Sequence, residues 1–160
     1  SSEKKKSDNL LLNILPYETA EELKATGKAG VRYYEKATVM FTDFKGFTEI
    51  TEKISPQKLI EELDICFKKF DHIIGKYPIE KIKTIGDSYM CAGGIPVANE
   101  SNPADMVMAA LEFCNYIDDI NKERFIKNEF LWELRVGIHT GPVISGVVGE
   151  SGADVCQGQG

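Results

Sequence analysis

The sequence predicts an α+β domain, with helices layered on a mixed or antiparallel sheet. Three observations predict it. Two long segments, 56–77 and 102–117, carry apolar residues at helical spacing. Short runs rich in β-formers flank them at 36–42, 79–85, 89–92, 132–139 and 143–148. Glycine or proline marks most junctions, in the order strand, two helices, hairpin, helix, hairpin. That order is ferredoxin-like.

Residues 1–9 read as a solvated tail with one basic run, Lys4-Lys5-Lys6. In 10–24, Leu11, Ile14 and Leu15 lie at near-helical spacing, interrupted by Pro16. The segment is too apolar for a free tail. It reads as a helical connector to an upstream coiled coil, or as a helix packed on its own domain. Residues 27–30 form a loop. Residues 1–30 are therefore tail and connector, and 31–160 the domain.

The strand at 36–42 leads through a glycine turn into a helix at 47–54. Pro56 opens a second helix, whose Leu59, Leu63, Phe67, Phe70 and Ile74 recur at i+3 or i+4. Tyr77-Pro78 ends it. Gly86-Asp87 joins the strands at 79–85 and 89–92 as a hairpin. Asn102-Pro103 marks the next helix start, with asparagine as cap and proline at the first helical position. Its inner face reads as Val107, Ala110, Leu111, Cys114 and Ile117. The strands at 132–139 and 143–148 flank an expected turn, Thr140-Gly141-Pro142. Residues 150–160 hold three glycines and no periodicity.

The chain has 160 residues, 42% of them hydrophobic, enough for one domain with a core. Nineteen basic residues against 25 acidic ones give a net charge of −6, which is not built to coat nucleic acid. Cys66, Cys91, Cys114 and Cys156 make no CxxC pair, and three lie in apolar periodic segments. A reduced, cytoplasmic chain is expected. No apolar run is long enough to span a bilayer, so any membrane or sensor region would lie upstream in a longer protein.

Asp43 and Asp87 carry the chemistry. Each follows a β-rich run and should stand at a strand end. Asp43 precedes Phe44-Lys45-Gly46-Phe47-Thr48, where Gly46 lets backbone N–H groups approach a phosphate at a helix start. Phe44 and Phe47 would brace that turn, or serve simply as core. Two such carboxylates suit hard divalent ions on a polyphosphate. Alone, Asp43 reads as a cap or turn residue and Asp87 as a hairpin residue. The face of Lys83 is undecided by pattern. Arg135, among apolar neighbours, needs a partner, either a phosphate or a helix carboxylate. His139 reads as a turn-stabilising hydrogen bonder. No nucleophile–base pair is evident.

Three motifs together resemble the catalytic domain of class III nucleotidyl cyclases. They are Phe41-Thr42-Asp43-Phe44-Lys45-Gly46-Phe47-Thr48, Lys81-Ile82-Lys83-Thr84-Ile85-Gly86-Asp87-Ser88-Tyr89-Met90, and Arg135-Val136-Gly137-Ile138-His139-Thr140-Gly141-Pro142-Val143. The resemblance runs from about Tyr34 to Gly149, and Asn13-Ile14-Leu15-Pro16 resembles the connector that precedes the domain in many membrane- or sensor-linked members. It implies a homodimer with sites at the interface and two divalent cations, Mg²⁺ or Mn²⁺, on Asp43 and Asp87. It implies that residues 44–48 bind the triphosphate and that Arg135 contacts the phosphates. Lys83 matches the purine-reading position, where lysine is usual for ATP and glutamate for GTP. The implied reaction is conversion of ATP to 3′,5′-cyclic AMP and pyrophosphate by attack of the ribose 3′-hydroxyl on the α-phosphorus. The family continues past Gly149 into a second base-reading segment and a helix with an asparagine and an arginine. No such residues follow here, so the resemblance implies a C-terminally incomplete catalytic domain. Guanylyl cyclase, a non-catalytic cyclase-like module and a polymerase-like nucleotidyltransferase are the competing readings.

Overall fold

A computed structural model describes residues 13–15 and 32–146 of the chain. The basic run, most of the connector, the loop at 27–30 and the C-terminal tail lie outside the described residues. The described elements are β1 (Asn13–Leu15), β2 (Arg32–Phe44), α1 (Phe47–Lys53), α2 (Pro56–Ile74), β3 (Ile79–Ile85), β4 (Ser88–Gly93), α3 (Asn102–Ile126) and β5 (Leu134–Gly146). The strands form one sheet in the order β1-β5-β2-β4-β3, and each described neighbour pair is antiparallel. The expected layered α+β fold is present.

Helix starts follow local chemistry. Ser55 caps α2, its hydroxyl accepting from the Lys58 N–H at 3.1 Å, and Pro56 takes the first helical position. All three helices contribute to one core on a single face of the sheet. Phe70 of α2 stacks on Phe113 of α3 at 3.9 Å, and Tyr89 of β4 meets both rings edge-on. A second, smaller cluster of Tyr34, Ala37, Val39, Met90, Ala92, Ile95 and Val143 lies on the other face and contains no helix residue.

Four expectations change. Asn13–Leu15 is a strand paired with the end of β5, where a helical connector is expected from the apolar spacing. Pro16 disfavours helix for Leu15, and β5 offers an open row of backbone partners. The two C-terminal strands are one strand, β5, running through Gly141-Pro142. Ladder pairs Tyr34↔Val143 and Ala37↔Gly141 leave two residues of β2 facing Pro142 alone. This bulge sits where proline, lacking an N–H, has no ladder bond to give.

The inner face of α3 is turned from the expected one. Met106, Ala109, Ala110, Phe113 and Ile117 are buried, whereas Val107 and Leu111 are 47% and 53% exposed. Apolar residues cover more than one side of α3, so spacing leaves its rotation ambiguous by about one residue. Asn102 is no cap either. It is fully buried, accepting from the Thr38 hydroxyl at 2.6 Å and donating to the carbonyls of Lys36 and Asn99.

Candidate active site

Directly opposed residues of an antiparallel ladder point to the same face of the sheet. Met40, Phe44, Tyr89 and Cys91 point into the helical core. Their alternates point to the helix-free face. There Lys83, Met90, Phe41 and Gly137 form a row across β3, β4, β2 and β5. Two residues further along β2, Asp43 faces Arg135. Phe41 is 38% exposed in this row.

Asp43 and Arg135 form a two-point ion pair: Nε donates to Oδ1 at 2.7 Å and Nη2 to Oδ2 at 2.9 Å. Hydrogen bonding to Asp43 raises the Arg135 pKa above its ordinary value, and the charges of Asp43, Asp87 and Glu133 add to the effect. Arg135 thus pairs with a carboxylate, as one reading of its sequence expected, but the carboxylate is on a strand rather than a helix.

Asp87 lies in the two-residue turn between β3 and β4, where Gly86 takes φ +57°. Its Oδ2 accepts the N–H of Phe44 at 2.9 Å, which ties the hairpin to the end of β2. Asp87 therefore lies at the end of β2 that carries Asp43, and the charges of both act on Arg135. Phe44 is buried against Trp132, ring centres 4.4 Å apart, and Phe47 packs on the same core. Both pack into the core beneath the turn, which fits either reading of them.

Gly46 caps α1 with φ +71°, and a Cβ there would lie 3.1 Å from Glu49 Oε1. The N–H of Lys45 donates to the Glu133 carbonyl at 2.8 Å, and its ammonium lies 3.7 Å from the Glu133 carboxylate. The N–H groups of Phe44 and Lys45 are thus engaged within the protein. Those of Gly46, Phe47 and Thr48 open α1, where N–H groups lack intrahelical acceptors.

The face of Lys83, undecided by pattern, is settled by a bulge. Lys81 faces Cys91, but Lys83 faces Met90, so Ile82 is an extra residue. Lys81 turns to the helices, bonding Asp71 at 3.3 Å. Lys83 turns to the other face, with Asp43 and Arg135. His139 is not at a turn, since β5 has none there. It sits within the strand opposite Val39 and is exposed.

Asp43 and Asp87 offer only hard oxygen donors. Such a pair fits Mg²⁺ or Mn²⁺, which take one or two carboxylates and complete their shell with phosphates and water. Asp43, Arg135 and Lys83 lie on this sheet face, Asp87 lies in the hairpin turn, and 44–48 adjoin them, with Phe44 and Phe47 directed into the helical core. Pattern alone did not single out Phe41, Gly137 or Glu133. Phe41 could be found from its i, i+2 relation to Asp43, which puts both on one face.

The description "Adenylate and Guanylate cyclase catalytic domain" matches residues 30–157, and the chain belongs to this family. Receptor-type guanylate cyclase gcy-4 of Caenorhabditis briggsae is 38% identical over 160 residues, covering 96% of this chain and 14% of its own length. The chain thus spans about one seventh of that curated relative. The catalytic core of a rhodopsin-guanylyl cyclase with converted specificity, in complex with ATPαS, superposes with a TM-score of 0.69 at 28% identity, covering 77% of this chain and 65% of that one. The non-canonical dimeric guanylyl cyclase domain of the RhoGC fusion protein from the aquatic fungus Blastocladiella emersonii gives 0.66 at 25% identity, covering 77% and 66%. Among the described residues, no helix is long and apolar enough to cross a membrane.

Proposed function

We propose that the chain is the catalytic domain of an adenylyl cyclase, which converts ATP to 3′,5′-cyclic AMP and pyrophosphate. The placement of Asp43 and Asp87 at the end of β2, both acting on Arg135, carries the assignment of phosphoryl transfer. Lys83, a donor on the same face, carries the preference for ATP. Its ammonium can donate to the acceptor N1 of adenine, whereas guanine presents N–H groups there.

Asp43 and Asp87 hold the cations together with the triphosphate. Two divalent cations, when bound, stabilise charge at the attacking 3′-oxygen and on the departing pyrophosphate. The turn 44–48 positions the triphosphate through the N–H groups that open α1, and Arg135 binds phosphate oxygens with its planar fork. The 3′-hydroxyl attacks the α-phosphorus in line. The step needs no side-chain nucleophile.

The site serves a homodimer, in which Lys83 reads the base of a nucleotide whose cations the other subunit holds. Exposed Phe41 in the Lys83 row supports this reading. The domain works on the cytoplasmic side, downstream of a sensor or membrane region, and has no nucleic-acid partner.

A guanylyl cyclase is the second reading, favoured by the name of the C. briggsae relative. Turnover of ATP and GTP by the full-length protein, with Mg²⁺ or Mn²⁺, decides between them. Faster conversion of GTP overturns the preference for ATP. Near-normal turnover in Asp43→Ala or Asp87→Ala overturns the two-metal assignment.

A further inference from the structure

We propose that Arg135 holds the place of a cation at Asp43 and must leave before a cation binds there, so that triphosphate, by taking the guanidinium, opens the metal site. The proposal rests on the reading of Asp43 as a metal ligand.

Both oxygens of Asp43 are engaged, one by Nε and one by Nη2 of Arg135. The fork takes the lone pairs that face it, and a cation approaching Asp43 from that side competes with the fork for them. The backbone beneath the pair is fixed, because Asp43 and Arg135 are ladder partners in 13-residue strands. Exchange requires only a side-chain swing, and the Arg135 side chain is 60% exposed. An exposed pair of this kind is weak, so it can be broken by a competing ligand.

Charge dictates what replaces it. Asp43, Asp87 and Glu133 all act on the Arg135 guanidinium. When the fork leaves, positive charge has to return to the aspartates, and a divalent ion supplies it. The departing guanidinium needs planar paired acceptors, which a phosphate offers. Lys45, the neighbouring cation, lies at Glu133. Cation and triphosphate should then each raise the affinity of the other, by the reciprocity of coupled sites.

The test is a titration of the 160-residue chain with Mn²⁺ in the absence of nucleotide, following the signal of free Mn²⁺ by electron paramagnetic resonance. Arg135→Gln should bind Mn²⁺ about fivefold more tightly than wild type. Arg135→Lys keeps the charge but loses the fork, and should also bind more tightly than wild type. Circular dichroism verifies that the variants keep the fold. Unchanged or weaker binding by Arg135→Gln overturns the proposal. So does a gain in Arg135→Gln with none in Arg135→Lys, since that is simple relief of repulsion. Asp43→Asn should lose the site. If it binds Mn²⁺ like wild type, the metal assignment of Asp43 fails. If it loses Mn²⁺ while Arg135→Gln is unchanged, only the place-holding role fails.

Discussion

Lys83 stands directly opposite Met90 across the β3–β4 ladder, and a one-residue bulge puts it there. In the register of Lys81↔Cys91, residue 83 would face Tyr89 and point into the helical core. A slip of one residue reverses the face of every later side chain. The bulge at Ile82 thus sends Lys81 to Asp71 on the helical side and Lys83 to the side of Asp43 and Arg135.

That face is the one on which the proposed enzyme would read the base with Lys83. Lys83→Glu should lower kcat/KM for ATP by about 10- to 100-fold, the cost of replacing a donor by an acceptor at a buried contact. Turnover of GTP should fall less or rise. The ratio of the two kcat/KM values in the full-length protein is the measurement. An unchanged ratio would remove Lys83 from the base site.

Most elements were legible because their periods are strong. The i+3 and i+4 recurrence from Leu59 to Ile74 fixes α2, and Gly86-Asp87 fixes the hairpin. The rest turns on relations between strands. Gly141-Pro142 carries a turn signal, yet β2 is long enough to pair across it and bulges opposite the proline. The aspartates were legible from their motifs. Their geometry was not, because the Asp43–Arg135 fork joins residues 92 apart in sequence.

Asn102 is a buried tether between α3 and β2. Its side chain bonds the Thr38 hydroxyl and two carbonyls, and that hydroxyl also meets Thr140 at 2.8 Å. Asn102→Ala would leave buried polar groups unpaired and should cost about 2–3 kcal/mol. Urea unfolding measures it. A loss well under 1 kcal/mol would show that water replaces the amide.

Alkaline pH should weaken the fold. Burial pushes the Cys66 thiol up to about 11 and the Cys91 thiol up to about 12. Burial likewise raises Tyr116, to about 12, and Tyr89 further still, helped by its bond to Asp71. The folded state keeps these groups neutral, while the unfolded chain ionises its thiols near pH 8.5 and its tyrosines near 10. Their contribution is full below those values and is lost as pH rises towards 12. Melting temperatures under reducing conditions should fall from about pH 9 upward, less steeply in Cys91→Ala. A flat profile to pH 11 would show that these groups ionise freely in the folded state.

Asp87 has two duties that substitution can separate. Its Oδ2 accepts the Phe44 N–H at 2.9 Å, which clips the hairpin to the end of β2. As a proposed cation ligand, it also supplies charge. Asn is nearly the same shape and keeps a side-chain oxygen for the N–H, but carries no charge. Asp87→Asn should therefore unfold within about 0.5 kcal/mol of wild type, whereas Asp87→Ala should lose about 1–2 kcal/mol through the orphaned N–H. Cyclic nucleotide formation should instead fall in both variants by at least about 10²–10³-fold. Stability then follows the acceptor and activity follows the charge. Denaturant unfolding beside turnover assays separates the two, and an Asp87→Asn enzyme working near the wild-type rate would leave Asp87 with the clip alone.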